Sequence, residues 1–287
     1  MKFAFALIAL LAFAAPARAD DETIARHAFV GDQEIALPKL LGFEEVFGKS
    51  AQFDQLVKQF VPPENRLLAV YLQYKDMKAL QGDASGGIKK YILVQTTKGD
   101  VTVKDQNDFN VFKQAIIRET GGSLDVDAAA QEMLDKIDQG SGAQLKIGES
   151  KSLGAFMNLD NALGVAMLAN IGMQSGGQQI DIPIAISMSA LNVKRKALIY
   201  SVYAQYADPA DIEFVKDTAK EYARATLAAN GADVPDVIAD PSLDSSAETN
   251  FILNLSLVAV AGIALILIGV FAAPAIKKIF RNKDTSV

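Results

Sequence analysis

The chain has 287 residues, with 28 Lys+Arg against 34 Asp+Glu for a net charge of −6, one histidine and no cysteine. The longest basic cluster is Lys194-Arg195-Lys196, too short for the basic stripe that a phosphate-backbone surface needs, so nucleic acid is not an expected partner. The missing cysteines exclude disulfides and thiolate sites, and a lone histidine excludes a His-rich zinc centre, so the fold must rest on its apolar core.

In chain order, Lys2, the apolar run 3–15 and the small-residue pattern Ala17-Arg18-Ala19 predict a signal peptide over 1–19, cleaved before Asp20. Residues 20–230 then form an exported globular domain. Phe53, Leu56, Val57 and Phe60 keep the i, i+3, i+4, i+7 spacing of one buried helix face. Strands are expected at 67–74, 90–96, 101–104, 144–148, 155–158, 164–173, 180–191 and 197–206, where β-branched, aromatic and apolar residues recur between Gly-rich or polar breaks. The last two strands are expected to be antiparallel neighbours in a meander. Asp105 or Asn107 can cap a second helix with Phe109, Phe112 and Ile116 inward, and 126–137 predicts a third. Asp208-Pro209 opens the longest of these helices, with Ile212, Val215, Ala219, Tyr222 and Thr226 on one face. Helices and strands do not alternate strictly, so the expected fold class is α+β, a largely antiparallel sheet packed with helices.

Residues 231–250, with Pro235, Pro241, Asp240, Asp244 and Glu248, read as an acidic flexible stalk. The uncharged run 251–276 predicts one C-terminal transmembrane helix, followed by a basic tail at 277–287 that carries Lys277, Lys278, Arg281 and Lys283. These signals together predict a single-pass protein of the inner membrane, its N-terminal domain in the periplasm and its short tail in the cytoplasm. Leu255, Gly262 and Gly269 fall at heptad spacing, so self-association through the span is a further expectation. Thr285-Ser286-Val287 has the form of a terminal carboxylate ligand.

No catalytic residue can be assigned, and no cofactor or metal set is found. His27 is the sole candidate for a Ser-His-Asp base, without a Gly-x-Ser-x-Gly elbow to serve, and is expected on a surface or in packing. No serine has lysine three positions later. Gly48-Lys49-Ser50 resembles the end of a phosphate loop, but position 43, where that loop requires glycine, is Phe43. The carboxylate candidates are Glu44-Glu45, Asp105 with Asp108, Asp125 with Asp127, and Asp181 inside an apolar strand. Solvated or capping roles are their expected use, and Lys194-Arg195-Lys196 is expected to be a basic turn or strand edge.

The strand, acidic turn and long helix over 197–230 resemble small exported α+β proteins of the PsbP-like type, a likeness confined to that part of the chain. The expected function is a non-enzymatic binding or assembly module of the cell envelope with a protein partner. The alternatives are a membrane-anchored hydrolase using carboxylates or a Ser-Lys pair, and a small-ligand or lipid-binding domain.

Overall fold

Alternate residues of a strand point to opposite faces of its sheet, and in the central strands of this chain both sets are apolar. Such strands can be satisfied only by cover on both faces. The structure, a computed structural model, describes residues 21–58, 61–62, 64–81, 88–99, 102–120, 144–175 and 178–235. Its elements are β1 (Ile24–Val30), β2 (Gln33–Pro38), β3 (Phe43–Glu45), α1 (Ala51–Lys58), β4 (Asn65–Gln73), α2 (Tyr74–Gln81) and β5 (Lys90–Thr97). There follow α3 (Gln106–Thr120), β6 (Gln144–Leu159), β7 (Ala162–Ser175), β8 (Gln178–Val193), β9 (Lys196–Gln205) and α4 (Pro209–Ala229).

Seven strands form one sheet in the order β3-β4-β5-β9-β8-β7-β6, every pair antiparallel. Two meanders, β3 to β5 and β6 to β9, are thus joined where β9 lies beside β5. One face carries Phe53 and Val57 of α1 and Phe109, Phe112 and Ile116 of α3; the other carries the β1–β2 hairpin and α4. A bulge between Leu67 and Ala69 shifts the alternation of β4, so that Leu68 and Ala69 both join the core on the hairpin side.

The α4 helix is fixed at both ends. Asp208, extended at φ −157°, accepts from the Ala210 amide and shares a capping box with Asp211, while Pro209 fills the first turn. At the far end the Asn230 side chain accepts from the Ala36 amide at 3.0 Å and donates to the Ala36 carbonyl at 2.8 Å, clasping the helix end to β2. Between them Tyr222 meets the rings of Tyr200 and Tyr71 at 4.8 and 5.7 Å. The Tyr200 hydroxyl donates to the Ala219 carbonyl, and that of Tyr71 to the Pro38 carbonyl. Burial holds all three phenols well above the ordinary tyrosine pKa, so they stay neutral. On the same side Gly164 is obligatory for space, because a Cβ there would stand 2.6 Å from the Phe156 ring.

The expected fold class needs correction. The described chain is mostly antiparallel sheet with helices, and among the described residues no helix is long and apolar enough to cross a membrane. The longest, α4, is studded with Asp211, Glu213, Lys216, Asp217, Lys220, Glu221 and Arg224. The expected transmembrane helix at 251–276 lies outside the described residues, as do the signal peptide, residues 236–250 of the stalk and the basic tail. The single-pass, periplasm-facing inner-membrane placement is therefore not supported and is set aside.

Smaller corrections follow. Segments 144–148 and 155–158 are one bulged strand, β6. Expected strand 101–104 is reduced to a single bridge, Thr102 to Lys196. Tyr74 begins α2 instead of ending β4. The expected helix 126–137, with Asp125 and Asp127, lies outside the described residues.

Candidate functional site

Among the described residues, most of the expected chemical groups have a partner within the fold. Gly48, at φ +87°, donates its amide to both carboxylate oxygens of Asp54, at 2.9 and 3.0 Å. Ser50 accepts from the Phe53 amide at 3.3 Å and so begins α1. The segment that resembled a phosphate loop is a helix cap already seated on a carboxylate. Asp105 and Asp108 both serve the first turn of α3, where Asp105 accepts from the Asp108 amide and Asp108 from that of Lys104, both at 3.0 Å. His27 lies half-exposed on β1 with Nδ1 3.6 Å from the Glu34 carboxylate, and Asp181 is exposed on β8.

Glu44 and Glu45 point to different partners, because neighbours on a strand face opposite ways. Glu44 accepts from Lys49 at 2.6 Å. Glu45 accepts from the Phe47 amide at 2.9 Å and stands 3.5 Å from Arg26, whose guanidinium donates to the Phe47 carbonyl and lies 4.8 Å from the Phe47 ring centroid. Burial raises the Glu45 pKa, and the Arg26 charge offsets this only in part. Lys113 of α3 is buried beside the β6–β7 turn, where it donates to Asn158 at 3.0 Å and to the Leu159 carbonyl at 2.8 Å; burial lowers its pKa.

Lys194-Arg195-Lys196 is a turn, as expected, and also a junction. Lys194 and Arg195 have φ of 50° and 64°, the pattern of a two-residue hairpin turn in which both central residues are left-handed. Asn and Gly are the usual occupants of such positions. Here Lys194 donates to the Glu34 carbonyl of the hairpin layer, while Arg195 reaches the Val103 carbonyl and Lys196 reaches Thr102 on the other side. Lys196 also lies 3.1 Å from Asp32, whose pKa it lowers by hydrogen bonding.

The opposite end of the sheet differs in kind. Phe43 donates its amide to the Leu40 carbonyl and Gly42 has φ +81°, the signature of a type II turn. Leu41 occupies its apex and is 92% exposed. The Gly42 carbonyl then accepts from the Tyr74 amide at 3.0 Å, which brings the start of α2 against the turn, and Tyr74 is 49% exposed. Buried Asp76 supports this corner from below, accepting from the amides of Lys89 and Lys90 at 2.7 and 2.8 Å. Phe43 stacks on Phe214 with centroids 6.3 Å apart, and Lys90 sits 3.8 Å from the Phe214 centroid while pairing with Asp211 at 2.7 Å. Burial pushes the Asp211 pKa up, but bonds from Lys90 and the Ala207 amide outweigh it and leave the carboxyl below its ordinary value. Nothing in the sequence reading singled out Leu41 or Tyr74.

No family model matches the chain, and no curated protein matches it. Among solved structures, the Ran-binding protein Mog1p of Saccharomyces cerevisiae is 11% identical, with 67% of this chain and 87% of that chain covered and a TM-score of 0.31. A mutant of Mog1 is 12% identical, with 70% and 93% covered and a TM-score of 0.32. Likeness of this degree bears on neither fold nor function. Among the described residues no group of three or more His, Asp or Glu side chains is placed to hold a metal ion.

Proposed function

We propose that the chain is a non-enzymatic binding module. What supports the reading is the use made of the acid candidates: Asp105 and Asp108 cap a helix, Glu44 holds Lys49, and Glu45 holds a backbone amide beside Arg26. General acid–base work needs two groups converging on one open position, within hydrogen-bond reach of a substrate. These four are spent on the fold instead. Three large apolar side chains are left exposed among the described residues, Phe29, Leu41 and Tyr74, and the last two, brought together at one corner, suit recognition.

The test is an assay of the full chain against chromogenic esters, phosphate esters and glycosides, beside the double variant Glu44→Gln, Glu45→Gln. No turnover above the blank is expected from either. Turnover by the native chain that the double variant loses would overturn the reading.

A further inference from the structure

Several lysines are paired with carboxylates, whereas Lys98, Lys104 and Lys151 are exposed with no such partner among the described residues. Lys49 holds Glu44, Lys90 holds Asp211, Lys196 holds Asp32 and Lys216 holds Glu213. Three more lysines lie around the Leu41–Tyr74 corner. Lys39, two residues before Leu41, Lys75, next to Tyr74, and Lys89, whose amide shares the Asp76 carboxylate, are all exposed. Among the described residues no carboxylate pairs with any of the three ammonium groups. The acid within the corner, Asp76, is buried and committed to backbone amides. In a chain of net charge −6, the result is a cationic rim around two solvent-facing apolar side chains.

We infer that this corner docks an acidic polypeptide segment bearing one or two apolar side chains, an inference that rests on the binding-module reading above. The apolar anchors would meet Leu41 and the Tyr74 ring, where aromatic side chains give large contact area at small entropic cost. The rim lysines supply attraction and register. An anionic bilayer fits less well, because two apolar side chains give shallow insertion and the remaining surface, net acidic, is repelled. The corner is also preformed: the type II turn, the Gly42–Tyr74 bond and the Asp76 bonds fix its backbone before any partner arrives.

The experiment uses the full chain and a fluorescent peptide alternating Glu with Leu and Phe, with a Gln-for-Glu peptide and phosphatidylglycerol vesicles as comparators. The acidic peptide should bind and slow amide exchange at 39–44 and 74–76. The pair Leu41→Ser, Tyr74→Ser and the triple Lys39→Gln, Lys75→Gln, Lys89→Gln should each weaken binding by about tenfold or more with an unchanged melting temperature. The inference is overturned if the peptide fails to bind, if the variants bind equally well, if the Gln peptide matches the acidic one, or if vesicles retain the chain while the peptide does not. Protection at some other surface overturns the corner and leaves the binding-module reading standing, whereas acid-dependent turnover in the assay above overturns both.

Discussion

The two ends of the sheet use lysine in opposite ways. At the β8–β9 turn, Lys194 and Lys196 are tied to carbonyl, hydroxyl and carboxylate oxygens, and Arg195 joins them through Val103, so the cations hold the two cover layers to the sheet. At the β2–β3 turn, Lys39, Lys75 and Lys89 face solvent around Leu41 and Tyr74, and the backbone is fixed by Gly42 and Asp76 instead. Charge that builds structure and charge left facing solvent cannot be told apart by composition, only by what each ammonium group touches.

That contrast can be broken at either end. The largest effect is expected at Asp76→Ala, which strips the acceptor from two partly buried amides and should lower stability by about 2 kcal/mol, read from urea unfolding. A loss no greater than that of an ordinary surface substitution would show that the corner is not fixed from below. Next, replacing the left-handed pair by Lys194→Asn with Arg195→Gly should relieve backbone strain and raise stability by up to about 1 kcal/mol, less whatever the lost Glu34 and Val103 contacts contribute. A net loss in thermal melts would show that the contacts outweigh the strain.

The smallest effect concerns Glu45, which lies between the two ends. Its folded pKa is raised, chiefly by burial, so its contribution to stability is fully present below the unfolded carboxyl pKa and is lost as pH rises through the folded value. The native chain should therefore lose stability relative to Glu45→Gln between acid and neutral pH. Parallel unfolding curves at both pH values would remove burial as the dominant influence on this carboxyl.

Much of the sheet was legible because its central strands carry apolar residues at nearly every position, and β5, β7, β8 and β9 were all expected close to their observed bounds. Asp208-Pro209 was equally clear, since a capping acid followed by proline is a local signal that tertiary contacts only reinforce. β3 escaped notice because three residues carry no period, and α2 because Tyr74 continues the apolar texture of β4 into the helix. The corner was invisible for the same reason. Leu41 and Tyr74 are 33 positions apart, and the antiparallel β3–β4 pairing, extended by the Gly42–Tyr74 hydrogen bond, brings them together. The roles of Asp54 and Asp76 as acceptors for distant or turn amides have no signature in spacing, whereas the Asp105 cap does.

The Asn230 clasp has a consequence for how the chain is made. Its partner, Ala36, precedes it by 194 residues, so the hairpin that leaves the ribosome among the earliest described elements cannot receive its helix until nearly all the described chain has been synthesised. Contacts of such span are formed late and slowly, because the loop must be closed before they contribute. Until then Ile35, Leu37 and Tyr71 lack part of their native cover, which makes the interval between synthesis of β2 and release of α4 the period in which this protein most depends on protection from aggregation.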